Sequence, residues 1–247
     1  MSRNFELLRQ LEMEARATDN PKPDAADRTA SMEVVPILSN QATSFSGEEI
    51  LRFIQRIFLS ANGSAPRQVV LCGVDAENGS SSVCAMAGRT LAVNSSRKVC
   101  LVDANVRSPR LAFMFGIDGT NPFSGTSAPL RDQCVQVGNN LWLAGPSILA
   151  DNSRVLLPPV ELKERLTQLR DEFEYMLIDA PGTSVCGDAQ LLGLVADAAI
   201  LVIEANSTRR LTARKAKESL DAAGVRLLGT ILHNRSFPIP ESLYKRL

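Results

Sequence analysis

The sequence has little of several features that mark common functional classes. Its 27 basic residues balance its 27 acidic residues, so no charge excess points to a nucleic-acid-binding surface. No apolar run approaches the roughly 20 residues that a membrane-spanning helix needs. The N-terminal stretch MSRNFELLRQ is charged and amphipathic, unlike a signal peptide. We therefore expect a cytoplasmic protein that reaches a membrane only through a partner.

Reactive side chains are also scarce. The five cysteines show neither CxxC pairing nor metal-ligand spacing. Cys72, Cys84 and Cys100 lie among apolar residues, which is typical of small core residues in a reducing compartment. His233 is the only histidine, and its place at a strand end favours a structural role over catalysis. A Ser-His-Asp or Cys-His catalytic set is therefore not credible.

The apolar patterns predict an α/β fold. The 247 residues, 45% of them hydrophobic, suffice for one large domain with tails. Short apolar runs predict strands, and apolar residues at helical spacing predict helices between them. This alternation favours a three-layer, doubly wound and mainly parallel sheet. The predicted strands are 68–72, 98–103, 141–145, 175–179, 198–205 and 227–233, and the predicted helices 47–60, 81–92, 159–173 and 212–223.

The first 46 residues differ in composition from the rest. Residues 4–16 have Phe5, Leu8 and Leu11 at helical spacing, which predicts a short helix. Residues 17–46 are rich in Asp, Asn, Pro, Thr and Ser, which is typical of a flexible linker. We expect residues 1–46 to be this helix and linker, and residues 47–247 to be the folded domain.

Residues 68–94 have the layout of a phosphate-binding loop. A buried strand is followed by a polar loop with two glycines and then by a helix, behind serines that can cap it. Backbone N–H groups and the helix dipole favour an anion there. The standard signature ends in Gly-Lys-Ser/Thr, but here Gly79 is followed by Ser80, Ser81 and Ser82.

Two aspartates follow predicted strands. Asp103 and Asp179 each leave an apolar run, and the carboxyl ends of parallel strands meet in one crevice. Next to a phosphate loop, such aspartates are typical Mg²⁺ ligands. The alternative is that each aspartate merely caps a turn.

Taken in order, these motifs resemble the cytoplasmic catalytic domain of bacterial tyrosine kinases from capsular and exopolysaccharide operons. That family belongs to the deviant P-loop ATPases, alongside partition and septum-site ATPases. Residues 103–109 (DANVRSP) match its D-x-D-x-R-x-P motif, and residues 179–182 (DAPG) match D-x-P-P. Glu49 and Arg52 resemble its E-x-x-R-x-x-R oligomerisation helix, with Gln55 at the place of the last arginine. The resemblance runs from about residue 47 to the C-terminus.

Five departures from the family pattern suggest a decayed catalytic site. They are Ser80 in place of the Walker A lysine, Glu77 in place of a loop glycine, Asn105 in place of the second Walker A′ aspartate, Gly182 in place of a Walker B proline, and Tyr244 in place of a tyrosine cluster. A serine cannot supply the lysine's charge, and a neutral asparagine cannot take up a proton.

The resemblance also implies which binding residues remain. Gly79, Ser80, Ser81 and Ser82 would form the phosphate nest, and Asn234 stands where relatives contact adenine, unless it simply begins a loop. Ser81, Asp103 and Asp179 would hold magnesium. We expect weak binding of Mg-ATP or Mg-ADP and no other cofactor.

The leading expectation is a catalytically impaired kinase-like protein in polysaccharide synthesis or export. It would act by association, as a homo-oligomer through Glu49 and Arg52 and with a membrane adaptor of the polysaccharide co-polymerase type. One alternative is an active ATP-dependent autokinase that tolerates Ser80. Another is a partition-type or septum-site-type ATPase relative.

Overall fold

A computed structural model describes residues 47–59, 65–76, 78–117, 129–150 and 155–234. The predicted helix 4–16 and linker 17–46 lie outside these residues, so the division at residue 46 stays a prediction. Glu77 and Tyr244 also lie outside the described residues.

Within the described residues, one sheet contains seven strands in the order β3-β4-β2-β5-β1-β6-β7. All neighbouring pairs are parallel except β3 with β4. β1 and β2 lie on either side of β5, and the chain then crosses to β6 beyond β1. The strands are β1 Gln68–Gly73, β2 Val99–Asp103, β3 Val135–Gly138, β4 Leu141–Ala144, β5 Tyr175–Ala180, β6 Ala198–Glu204 and β7 Leu227–His233.

Helices cover both faces of this sheet, which confirms the predicted doubly wound α/β fold. Apolar residues at helical spacing face the sheet, as Leu162, Leu166 and Leu169 do in α4. One core lies under α4, α5 and α6, and the other lies under α1, α2 and α3. The helices are α1 Gly47–Ile57, α2 Ser80–Ser95, α3 Leu111–Met114, α4 Pro159–Glu172, α5 Asp188–Val195 and α6 Arg210–Ala222.

The strand ends bring distant motifs together. Asp103 at the end of β2 lies opposite Asp179 of β5 in the strand register, and Leu71 of β1 lies opposite Asp179 on the other side. Helix α2 packs closely on β2, because a Cβ on Gly88 would lie 2.5 Å from a methyl carbon of Leu101. This close packing fixes the first turn of α2 beside the two aspartates.

The structure agrees with most of the predicted elements and adds three. The predicted strands and helices are present, with ends that differ by a few residues. β3, α3 and α5 were not predicted. β3 and α3 have only four residues each, too few for a periodic pattern to emerge. Among the described residues, no helix combines the length and apolar character that a bilayer crossing needs.

The predicted core residues are placed as expected. Cys72, Cys84 and Cys100 are fully buried, which confirms their interpretation as core residues. The ring of Trp142 is partly buried and packs on Phe173, with ring centroids 5.6 Å apart.

Candidate functional site at the serine loop

The loop after β1 and the serines that open helix α2, residues 74–82, are called the serine loop here. The loop ends at Gly79, the residue before α2. Gly79 has φ 71°, a left-handed conformation that glycine adopts without steric cost, and its carbonyl accepts the N–H of Val83 at 3.1 Å. No side chain caps this helix, so the prediction that the serines cap it is wrong. Ser80 already lies within the first turn, and its hydroxyl donates to Asp179 Oδ1 at 3.4 Å instead.

Asn78 closes the loop on itself. Its side-chain oxygen accepts the backbone N–H of Asp75, and its Nδ2 donates to Thr208 Oγ1 at 3.0 Å. The Thr208 hydroxyl in turn accepts the N–H of Glu204 at 3.1 Å. Asn78 is buried, and its two contacts fix the loop just before the predicted phosphate nest at Gly79. Sequence reasoning missed this residue, although asparagine commonly bonds its own loop backbone.

The loop after β5 packs directly against the serine loop. Thr183 N–H donates to the Gly73 carbonyl at 2.9 Å, and Ser184 N–H donates to the Val74 carbonyl at 3.0 Å. A Cβ on Gly182 would lie only 2.4 Å from the carbonyl oxygen of Asp75. The backbone here thus leaves no room for a proline ring, which gives a physical reason for glycine at this position.

Asp179 is the most buried ionisable group of the site. Burial raises the pKa of its carboxyl to about 8, and the neighbouring charge of Asp103 adds to this rise. Hydrogen bonds from the hydroxyls of Ser81 and Ser80 only partly oppose it. Among the described residues, its Oδ2 has no hydrogen-bond partner. Burial therefore favours the protonated form of this carboxyl.

Asp103 holds the segment that follows it. Its Oδ2 accepts the backbone N–H groups of Arg110 and Leu111, each at 3.0 Å, and its Oδ1 accepts that of Asn105 at 3.3 Å. Burial nevertheless raises its pKa to about 6. Asp103 thus caps the turn that follows it, which is the alternative role that the sequence left open. Both of its carboxylate oxygens accept hydrogen bonds.

A magnesium ion fits part of this site. The Ser81 hydroxyl and the unpartnered Asp179 Oδ2 are oxygen ligands of the kind that Mg²⁺ prefers. Asp103 as a direct ligand stays a prediction, because it would have to give up backbone hydrogen bonds. Within the described part of the chain, no three His, Cys, Asp or Glu side chains form a metal-binding group. Any ion would therefore take most of its ligands from phosphate or water.

The end of β7 also borders the loop. Asn234 is exposed and has φ 55°. Its Nδ2 donates to Glu204 Oε1 at 3.1 Å, so this amide is already hydrogen-bonded within the protein and not to an adenine base. His233 is buried against the loop, since a Cβ on Gly79 would lie 2.5 Å from its Nε2. Burial lowers the pKa of this imidazole. Such packing fits the structural role predicted for His233.

The predicted association residues lie on helix α1. Glu49, Arg52 and Gln55 are exposed on the outer surface of α1. Arg52 pairs with Glu48, one turn earlier, at 3.3 Å.

The chain is similar in sequence to bacterial tyrosine-protein kinases. No protein-family model matches the chain. It is 33% identical over 147 residues to tyrosine-protein kinase YwqD of Bacillus subtilis, covering 56% of this chain and 60% of that one. It is 29% identical over 145 residues to tyrosine-protein kinase CpsD of Streptococcus agalactiae, with 56% and 62% covered. The chain thus spans about three fifths of the length of the curated relatives it matches.

Solved structures agree on the fold. The VpsO kinase domain aligns with TM-score 0.63 and 25% identity, covering 77% of this chain and 94% of that one. The kinase domain of the Escherichia coli tyrosine kinase ETK aligns with TM-score 0.63 and 18% identity, covering 75% and 74%. The MinD cell division protein of Aquifex aeolicus aligns with TM-score 0.54 and 19% identity, covering 73% and 72%.

The sheet order, the loop before α2 and these neighbours define a P-loop ATPase-like fold. Within that class, the chain is similar to bacterial tyrosine-protein kinases, which confirms the resemblance inferred from its motifs.

The buried aspartate makes stability depend on pH. The folded-state pKa of Asp179 lies above its ordinary value of 3.8, so the folded protein keeps a proton that the unfolded chain releases. Stability should therefore fall as pH rises from about 4 to about 8. Asp179→Asn should flatten this fall and raise the melting temperature near pH 8 by at least about 2 °C. Melting curves followed by circular dichroism across this range measure both effects.

Asp221→Asn, which removes an exposed carboxylate paired with Lys217, is the matched control and should keep the wild-type pH dependence. Parallel curves for wild type and Asp179→Asn would contradict the assignment.

Proposed function

We propose that this chain is a catalytically impaired, tyrosine-kinase-like P-loop protein that works in polysaccharide synthesis or export by regulated association. The observation that carries this proposal is the contact between the Ser80 hydroxyl and Asp179 Oδ1 at 3.4 Å. The family motif has lysine at this point, and here a neutral hydroxyl faces a carboxyl whose pKa is raised by burial.

The missing lysine weakens catalysis more than binding. A charge-assisted contact of this kind contributes about 1.5–3 kcal/mol to binding a charged group. Phosphoryl transfer relies mainly on positioned charge, so the loss is larger in the transition state. No change of conformation at Ser80 supplies that charge, because serine carries none at any physiological pH.

Asn105 removes a second catalytic function. The family aspartate at this position is a candidate base for the attacking hydroxyl, whereas an amide has no proton affinity to serve that role. Here the Asn105 side-chain oxygen accepts the backbone N–H of Ser108 at 3.3 Å and so belongs to its own turn. Two losses in different roles favour a decayed site over a relocated one.

Weak nucleotide binding remains part of the proposal. The N-terminus of α2 still favours phosphate, and Ser81 with Asp179 would hold the magnesium ion that neutralises phosphate charge. Without the charge of the lysine, we place nucleotide affinity below that of a loop that has this residue.

Association would carry the function in place of catalysis. The exposed Glu49 and Arg52 of α1 would join copies of this chain, and a membrane adaptor of the polysaccharide co-polymerase type would bring it to the membrane. The alternative of an active autokinase draws on the kinase names of its relatives. A partition-type or septum-site-type role draws on the fold of MinD alone.

Purified protein should show negligible ATP hydrolysis and no tyrosine autophosphorylation, because both the lysine and the base are missing. A steady-state phosphate-release assay with Mg-ATP, together with phosphotyrosine detection, measures this. Asp179→Ala distinguishes genuine turnover from a contaminant. Steady hydrolysis that Asp179→Ala abolishes would establish the active-kinase alternative and sink the proposal.

Restoring the lysine should restore binding before it restores transfer. Ser80→Lys should tighten Mg-ATP binding by at least about tenfold in calorimetry, the equivalent of 1.5 kcal/mol. Transfer should remain slow until Asn105→Asp is added, and the pair should exceed either change alone. Ser82→Lys, which places the same charge in the same helical turn, is the matched control. Family-like activity from Ser80→Lys alone would refute the role given to Asn105.

Charge reversal on α1 should disrupt self-association and leave the fold intact. The double change Glu49→Arg and Arg52→Glu keeps the net charge but inverts the surface pattern, so light scattering should report a smaller species while circular dichroism is unchanged. Arg214→Glu with Glu218→Arg inverts an exposed pair on α6 and serves as the control. The association proposal fails if the wild type is monomeric at high concentration and recovers no membrane protein in a pull-down.

A further inference from the structure

A groove of about 500 Å³ lies between α1 and the last strand of the sheet. Phe53 and Ile57 of α1 form one wall, and Leu228 and Leu232 of β7 are among the residues of the other. Arg56 stands at its rim and is exposed. Such a groove offers an apolar floor beside a positive charge.

β7 also has an open edge. In the described part of the chain it pairs only with β6, so every second backbone N–H and C=O on its other side lacks a strand partner. Thr230 and Leu232 are exposed, whereas every residue of β1 and β2 is buried. An exposed edge beside an apolar groove is a docking place for one more strand.

The last described residue stands directly after β7. β7 ends at His233, and Asn234 has φ 55°, the left-handed conformation typical of a reverse turn. Residues 235–247, RSFPIPESLYKRL, follow directly. A segment that reverses here would run antiparallel to β7, and seven residues cover about 23 Å at about 3.3 Å each, the length of β7.

The sequence of this segment suits a strand that is paired on one side. Pro238 and Pro240 are two residues apart, so their missing N–H groups would point to the same side, away from β7. Phe237, Ile239 and Glu241 alternate with them and would share one face. Two apolar side chains followed by an acid match a groove that is apolar and ends at a cation.

The direction of α1 places Arg56 at the end of the groove that Glu241 would reach. The ring of Phe58, just after α1, lies 5.6 Å from the ring of Tyr175, the first residue of β5, so α1 runs opposite to the parallel strands. Arg56 therefore lies near the start of β7, where a returning chain brings Glu241. Among the described residues, Arg56 forms no ion pair, in contrast to Arg52 with Glu48.

We propose that residues 235–241 dock antiparallel along the open edge of β7, with Phe237 and Ile239 in the groove and Glu241 beside Arg56. The segment thereby becomes an eighth strand that covers the edge and the apolar wall of α1. This docking does not depend on nucleotide or on the proposed function.

Hydrogen exchange followed by NMR on the full chain tests the docking. In the wild type, the β7 amides that point away from β6 should be protected. Phe237→Asp with Ile239→Asp should make them exchange at least about tenfold faster, while amides of β1 and β5 stay unchanged. Leu243→Asp with Tyr244→Asp lies beyond the docked stretch and should leave β7 protection intact.

A charge exchange tests the register. Arg56→Glu or Glu241→Arg alone should speed exchange at the first residues of β7 by about two- to five-fold, the range of an exposed ion pair. The double exchange should restore protection.

Three results would overturn the proposal. Open-edge amides that exchange at the rate of an unfolded chain in the wild type would leave the edge uncovered. Protection that disappears on dilution would assign the groove to a second copy. Protection that survives the Phe237 and Ile239 changes but is lost with Val35→Asp and Ile37→Asp would assign it to the segment before α1.

Discussion

Two buried carboxylates at the ends of adjacent strands set the constraint that the rest of the site must meet. The register places Asp103 directly beside Asp179, and burial raises the pKa of both. Two neighbouring buried carboxylates cannot both ionise at low cost, and the charge of Arg110 only partly offsets the raised pKa of Asp179. Asp103 accepts three backbone N–H groups, whereas the raised pKa of Asp179 favours its protonated form. A hydroxyl at Ser80 is compatible with that protonated state, whereas a lysine would favour the ionised one.

The contacts that hold the serine loop agree with this electrostatic arrangement. A phosphate loop that works on nucleotides leaves its N–H groups open to an anion. Here the Asn78 side chain accepts the N–H of Asp75, the chain after Gly182 bonds the loop carbonyls, and His233 packs on Gly79. The loop is therefore stabilised by its own protein contacts.

The sequence predicts the parts of this structure that are periodic and fails where contacts join distant segments. The apolar runs that end in Asp103 and Asp179 predict both strands and, through parallel topology, their meeting. The bonds of Asn78 to Thr208 and of Thr183 to Gly73 connect loops more than 100 residues apart and leave no local pattern. The serine cap failed because a serine before a helix and a serine inside its first turn look alike in sequence.

The edge of the sheet and the loop are physically connected. His233 is both the last residue of β7 and the side chain that packs on Gly79, and Asn234 beside it bonds Glu204 at the end of β6. Thr208, which bonds Asn78, also bonds the backbone of Glu204. Whatever covers the open edge of β7 therefore restrains the residues on which the loop rests. Because close-packed interiors have low compressibility and transmit strain, the position of β7 and the geometry of the loop are set together.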